Sequence, residues 1–343
     1  MTLVFFALIC TFLSFYFACL TGVTIKRKIV FTGCFIVFSS LLRVLINVNL
    51  NNDYYYYYNF DIFHKPTSFL SFALNEPYLY SLYFFFSTFI DTKANVFLAL
   101  YWFNFLINSI FYIWLLYIKD VETWKKILLF VLYYFMFGFV LLRNGPAYIL
   151  FAMYFYYSFR ERKFNWVFTA LFMHISSCFM LVTYFHHWRY YFRALFVAPI
   201  IVFLSFLVLK PFLTSVREFD SILSKISIYS NGFPINTLMH LLFFVFIIVL
   251  TAVGFLLYRN KMLHPILVTT LLIYFIAFLI SPVVAHRFSP YLLFALLFFP
   301  FEEIKYTKLM RILNSFSVLL LPIFIYTLFN THKTKLYMEL FMK

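Results

Sequence analysis

Residues 2–28 read TLVFFALICTFLSFYFACLTGVTIKRK, an apolar run that ends in three consecutive basic residues. About 20 mainly apolar residues are enough to cross the hydrocarbon core of a bilayer as a helix. Basic residues collect on the cytoplasmic side of such spans. Because the cluster Lys26–Lys28 follows the run and no positive residue precedes it, we expect an uncleaved first span with its N-terminus outside, rather than a signal peptide.

The same composition continues along the 343 residues. Hydrophobic residues make up 65% of the chain and charged residues only 11%, whereas soluble domains carry roughly 25% charged residues. The composition therefore predicts an all-α, polytopic integral membrane protein, and we interpret 1–343 as a single transmembrane domain. The excess of 27 Lys and Arg over 12 Asp and Glu indicates cytoplasmic loops, so we expect no nucleic-acid partner.

Hydropathy and loop charge predict about ten spanning helices and two re-entrant segments. The first re-entrant segment is 67–92, because its apolar part after Pro77 is too short to cross a core of about 30 Å. The second is 164–188, which joins two basic clusters and must turn back near His174. The predicted spans are 2–24, 29–48, 96–118, 127–142, 146–159, 194–209, 237–258, 264–281, 288–301 and 311–329.

This threading predicts large external loops at 49–95 and 210–236. It also brings Arg143, His174 and Arg287 to the outer half of the membrane together, on the basis of loop charge. Ionisable groups at membrane depth are costly and are functional candidates. We therefore predict a site on the external face.

Arg143 lies in LLRNGPA, residues 141–147. It follows one apolar helix, and Gly-Pro begins the next at a position where proline is tolerated. The guanidinium, the neighbouring Asn144 and the open amides of the helix start could hold an anion. The alternative is an arginine that extends along the apolar surface to the membrane interface.

His174 and Glu76 are the candidates for proton transfer. His174, in the apolar sequence LFMHISS of residues 171–177, could act as a general base, a proton relay or a hydrogen-bond donor. Glu76 precedes Pro77 and suits acid or base work on a sugar hydroxyl. The alternatives are a structural histidine bonded to a carbonyl, and a glutamate favoured by a helix dipole.

Four further residues are candidates for substrate binding. Arg287 would supply the second cation that a pyrophosphate favours, and Arg43, within the second span, could pair with one of the acids. Asp53 and Tyr57 belong to an external segment with five consecutive tyrosines, 54–58. The tyrosines form either an interfacial aromatic belt or a platform on which sugar rings stack.

Several chemical signatures are absent from the sequence. It contains no Walker loop, GxGxxG, HExxH, GxSxG or cysteine cluster, and only 6 glycines. We therefore expect no nucleotide, no metal and no other cofactor. The four cysteines lie in apolar runs and are interpreted as small buried hydrophobes.

Three stretches of the chain carry a family resemblance. They are residues 53–80, with NEPYLY at 75–80; LLRNGPA at 141–147 followed by LFMHIS at 171–176; and HRF at 286–288 followed by Pro290 and Tyr291. In these stretches the chain resembles the EpsG-type polysaccharide polymerases, a branch of the Wzy-like O-antigen and capsule polymerases. Pro146 stands at a helix start where that family is more variable.

The resemblance implies a multi-pass glycosyltransferase of the bacterial cytoplasmic (inner) membrane. Such enzymes join lipid-linked oligosaccharide repeat units on the outer face of the membrane. The growing glycan moves from undecaprenyl pyrophosphate to a new lipid-linked unit, without metal or nucleotide sugar. The implied partners are the lipid-linked donor and acceptor, a flippase and a chain-length regulator.

The chemistry of this reaction suggests roles for the candidate residues. Arg143 and Arg287 would stabilise the leaving pyrophosphate, and Glu76 or His174 would accept the proton of the acceptor hydroxyl. Asp53 and the tyrosine run would hold the acceptor sugars.

Three other functions stay open. A glycosyltransferase that adds one sugar from a polyprenyl phosphate donor would use an early external acidic loop, for which Asp53 and Asp61 are available. A transporter or flippase of lipid-linked glycans usually has paired half-chain repeats, and the sequence shows none. A membrane O-acyltransferase would rest on His174 alone.

Overall fold

A computed structural model of the chain describes residues 2–51, 53–59, 77–197, 237–301 and 307–330. Of these residues 84% are helical and none lies in a strand, which confirms the all-α prediction for the described part of the chain. Within the residues that the structure describes, four helices are long and apolar enough to cross a membrane, and the figure of about ten spans stays a prediction. The four are Ile25–Leu45, Lys93–Tyr117, Thr123–Val140 and Met310–Asn330.

The chain divides into two compact units, and the predicted single transmembrane domain stays a prediction. Unit 1 comprises the described residues within 1–66, 75–149 and 304–343, and unit 2 those within 150–303. The helices that begin in unit 1 are α1 (Thr2–Cys19), α2 (Ile25–Leu45), α3 (Tyr54–Tyr58), α4 (Pro77–Ser87), α5 (Lys93–Tyr117), α6 (Thr123–Phe135), α7 (Asn144–Ser158) and α8 (Thr307–Phe316). Helix α6 continues as a π-helix (Met136–Val140), and α8 continues to residue 330. Helix α7 ends in unit 2.

Unit 2 is built from apolar helices and shorter 3₁₀ segments. Its α-helices are α9 (Ser176–Met180), α10 (Thr237–Tyr258), α11 (Pro265–Ile280) and α12 (Pro282–Phe298), with 3₁₀ helices at Asn165–Phe172, Leu181–Phe185 and Arg259–Leu263.

An aromatic core holds unit 1 together. The ring of Phe130 on α6 stacks on Phe15 of α1 at 4.1 Å and on Phe324 at 4.8 Å. Phe35 of α2 and Tyr112 of α5 meet the same ring edge-on, at 5.8 and 5.2 Å. Aromatic pairs favour such offset and edge-to-face geometries. Phe130 of α6 therefore contacts each of the other long helices of the unit.

Three basic clusters lie at one end of unit 1: Lys26–Lys28, Lys119–Lys126 and Lys308–Arg311. Two hydrogen bonds join helices at this end. The hydroxyl of Thr123 at the start of α6 donates to the carbonyl of Cys19 at the end of α1 at 2.7 Å, and the side chain of Asn314 on α8 accepts from the amide of Trp124 at 3.0 Å. The positive-inside rule predicts that this end faces the cytoplasm.

The described parts of both predicted re-entrant segments are short helices. In 67–92, helix α4 has 11 residues, about 16 Å of α-helix, and the chain turns at 88–92 into α5; residues 60–76 lie outside the described part. In 164–188, the helical segments are interrupted at 173–175, which is where the sequence predicts a turn. That both segments enter the membrane and turn back stays a prediction.

An imidazole caps helix α11 in unit 2. His264 precedes the first residue of this helix, and its Nδ1 accepts the amide hydrogen of Ile266 at 3.3 Å. The ring lies between Phe159 and Phe299 and 5.8 Å from the ring of His186. Burial, together with the neighbouring His186 and His187, lowers the pKa of His264 from 6.5 to about 4. A protonated Nδ1 cannot accept the capping hydrogen bond.

We therefore expect the protein to lose stability as the pH falls from about 6.5 towards about 4, because the unfolded chain binds a proton there that folded His264 does not. The loss should be about 1 kcal/mol after allowance for the partial exposure of the ring. His264→Asn keeps a cap that does not titrate, so it should flatten the pH dependence of thermal unfolding in detergent. His286→Asn, which removes an exposed imidazole, should leave the slope in place; equal slopes in wild type and His264→Asn would contradict the assignment.

Candidate functional site

Arg143 lies on a three-residue link, 141–143, between the π-helix and α7. Leu141 is extended, so the chain leaves the helix here. The guanidinium carbon of Arg143 lies 5.6 Å from the centroid of the Tyr57 ring. A cation–π contact uses none of the five N–H donors of the guanidinium. The contact therefore positions the side chain without using the N–H donors that would bind an anion.

The tyrosine run forms one turn of helix, α3, and the turn divides its five side chains. Tyr57 is 7% exposed, and Tyr54 stacks on both Tyr58 and Tyr101. Tyr55 and Tyr56 point the other way and are 62% and 57% exposed. The predicted substrate-binding role of Tyr57 stays a prediction. Its ring carries Arg143, whereas the rings with exposed faces are those of Tyr55 and Tyr56.

Arg43 is buried at the end of α2, with 2% of its surface exposed. Its guanidinium carbon lies 5.0 Å from the centroid of the Phe139 ring and 5.7 Å from that of Tyr101. Within the described residues its Nε has no hydrogen-bond partner. Taking an arginine out of water is costly, and the two aromatic rings offset part of that cost.

Asn51 ties the segment before α3 to this region. Its amide donates to the hydroxyl of Tyr101 at 2.9 Å and to the carbonyls of Phe139 and Val140 at 3.1 and 3.4 Å. Its side-chain oxygen accepts the backbone amide hydrogen of Asp53 at 2.8 Å. Asp53 and Arg43 both act electrostatically on the Tyr101 hydroxyl, so Asp53 lies in the same cluster.

Asn144 follows Arg143 and begins α7. Its side-chain oxygen is buried and has no hydrogen-bond partner within the described residues. A buried acceptor that lacks a donor costs stability. A donor such as a ligand hydroxyl would satisfy it.

Unit 1 thus brings together five of the predicted site residues: Arg43, Asp53, Tyr57, Arg143 and Asn144. Sequence reasoning missed Asn51 and Tyr101, which hold the cluster together. Asn51 had a usable signal, since an amide next to an apolar run needs a partner. Tyr101 had none, because one tyrosine among 28 does not stand out.

Two other predicted residues, His174 and Arg287, belong to unit 2. His174 is 2% exposed and lies at the break in 164–188, where its carbonyl accepts the amide hydrogen of Ser177 at 3.0 Å. The hydroxyls of Ser176 and Ser177 lie 2.9 and 3.3 Å from that of Tyr291 on α12. Arg287 is one helical turn before Tyr291. The segment of His174 and the helix of Arg287 are therefore bonded to each other.

Glu76 lies outside the described residues. The convergence of Arg143 with His174 and Arg287 at one membrane face stays a prediction. In the part of the chain that the structure describes, no group of three or more His, Cys, Asp or Glu side chains is placed to hold a metal ion.

No protein-family model matches the chain, and neither a curated protein nor a solved structure matches it. The resemblance to the polysaccharide polymerases therefore rests on the sequence motifs quoted above.

The buried ring beneath Arg143 should matter for stability, whereas its exposed neighbour should not. We expect Tyr57→Leu to lower the free energy of unfolding by about 1–3 kcal/mol, because it removes a packed ring and its cation–π contact. Tyr57→Phe keeps the ring and should retain most of that stability. Tyr55→Leu is the matched control and should change stability by less than about 0.5 kcal/mol. Thermal unfolding in detergent measures all three, and equal losses at positions 55 and 57 would refute the assigned orientation.

Proposed function

We propose that this chain is a membrane glycosyltransferase that polymerises lipid-linked oligosaccharide repeat units into a surface polysaccharide. The observation that carries the proposal is the cluster of unit 1, where Arg143 rests on a buried tyrosine ring beside an acceptor of Asn144 that lacks a donor. An anion-binding group next to a hydroxyl-binding group suits a sugar attached to a phosphate. The motifs of the polysaccharide polymerases support the same assignment.

In the proposed reaction, a hydroxyl oxygen of the acceptor sugar attacks the anomeric carbon of the donor glycan. The bond from that carbon to the pyrophosphate oxygen breaks, and the leaving pyrophosphate takes the electron pair. Arg143 stabilises the negative charge that develops on the leaving group, and Arg287 is the proposed second cation. The acceptor hydroxyl passes its proton to His174 or Glu76.

The exposed rings of α3 suit the sugar part of a substrate. Tyr55 and Tyr56 lie on the same helical turn as Tyr57, on its opposite face. Flat aromatic faces bind the apolar faces of sugar rings, and tyrosine adds a hydroxyl for hydrogen bonds. This supports the platform interpretation of the tyrosine run, with these two side chains as the contacts.

The class of the reaction is tested by the glycans of a strain that lacks the gene. We expect single repeat units on the lipid carrier and no ladder of longer polymers. A carrier that ends one sugar short would indicate the single-sugar glycosyltransferase. Complete repeat units that accumulate only on the cytoplasmic side would indicate the flippase. Either result would exclude a polymerase.

Arg143→Lys tests the role of the guanidinium. Lysine keeps the charge but lacks the planar fork that binds two phosphate oxygens, so we expect polymerisation to slow by about 100-fold. Arg311→Lys, the same exchange on an exposed face of α8, is the control and should leave the polymer ladder unchanged. Full polymer length in cells that carry Arg143→Lys would overturn the assigned role.

A further inference from the structure

The link that carries Arg143 begins at the end of the π-helix and ends at a helix start that lies against Phe137 of the same π-helix. The amide of Leu141 bonds to the carbonyl of Met136 at 2.9 Å, the five-residue spacing of a π-helix. In an α-helix that amide would bond to the carbonyl of Phe137. The carbonyl of Phe137 therefore loses the donor that regular helical geometry would provide.

Asn104 of α5 supplies the donor that the carbonyl of Phe137 needs. Its amide donates to that oxygen, and Asn104 is 3% exposed. The last carbonyls of any helix lack intrahelical donors, and an unsatisfied carbonyl in an apolar setting costs several kcal/mol. This bond fixes the helix end from which the link departs.

The other end of the link meets Phe137 as well. A Cβ added at Gly145 would lie 3.0 Å from the Phe137 carbonyl oxygen and 3.3 Å from its Cα. Such contacts are tighter than ordinary packing, so the first turn of α7 begins directly against the π-helix. Three residues that run from the end of the π-helix to a helix start packed against it have little freedom.

We propose that Asn104 is a positioning residue for Arg143 and acts through the carbonyl of Phe137. Asn104 is buried on α5, and the proposed reaction requires no contact between it and the substrate. Its importance for polymerisation rests on the proposed function, whereas its effect on the link does not. The two claims can therefore fail separately.

Asn108 is a matched control on the same helix. It lies one turn after Asn104, is fully buried, and its amide donates to the carbonyl of Tyr134 at 3.2 Å. That carbonyl precedes the π-helix. Asn108 also packs against Gly138 of the π-helix, so its loss removes a buried hydrogen bond and packing in the same region but not the donor to the carbonyl of Phe137.

Thiol labelling tests the link without any glycan chemistry. The reporter is Arg143→Cys in the full-length protein, with Cys10, Cys19, Cys34 and Cys178 replaced by Ala. We expect Asn104→Leu to change the rate of modification by a small maleimide about threefold or more, because labelling follows local access. Asn108→Leu should leave the rate unchanged. Equal rates in the two variants, changed or not, would overturn the proposal.

Polymerisation of purified lipid-linked repeat units, with Arg143 restored, tests the consequence. When the two variants lose the same amount of melting temperature, Asn104→Leu should lower turnover about tenfold and Asn108→Leu much less. The reason is that small displacements of a catalytic group are costly. Asn104→Gln keeps the amide and should recover part of the rate. Activity losses that simply follow melting temperature would show Asn104 to be structural. Asn104→Ala replaces the Leu variant if that variant fails to fold, with the same outcomes.

The two assays separate the claims. A labelling change specific to Asn104, together with a wild-type protein that does not polymerise lipid-linked units, supports the positioning role and refutes the proposed function. If the wild type polymerises lipid-linked units and labelling is equal in both variants, the proposed function is supported and the positioning role is refuted.

Discussion

A backbone carbonyl inside a bilayer must find a donor within the protein, because no water is there to supply one. The π-helix at the end of α6 creates this need, and asparagine side chains meet it. Asn104 bonds to Phe137, and Asn51 bonds to Phe139 and Val140. The helix can therefore end abruptly in a buried region. The link that carries Arg143 depends on that ending.

Three cations of unit 1 lie against aromatic rings. Arg43 lies against Phe139 and Tyr101, Arg143 lies over Tyr57, and Lys93 lies over Tyr58. A ring attracts a cation without the desolvation cost of a second charge. Aromatic residues make up 25% of the chain, and some of them serve as these partners. Such contacts leave the positive charge in place for an anionic ligand.

The sequence predicted the parts of the site that carry charge. Arg143 stood out because a guanidinium at the end of an apolar helix is costly, and His174 stood out for the same reason. The break at 173–175 followed from the basic clusters on both sides. The orientation of Tyr57 did not follow, because five identical side chains give no periodicity from which to choose the inward face. The π-helix did not follow either, since its sequence, MFGFV, is compatible with an ordinary α-helix.

The sequence by itself determined the solvent, the helical class and the residues for which burial is costly, because these depend on composition and on local charge. Tertiary structure alone decided which carbonyl each asparagine satisfies, and which ring lies beneath each arginine. These pairings join residues far apart in the chain, such as Asn51 with Phe139 and Tyr57 with Arg143. Hydropathy and charge predict how deep a residue lies in a membrane. They do not say which neighbour it meets there, since that depends on how the helices pack.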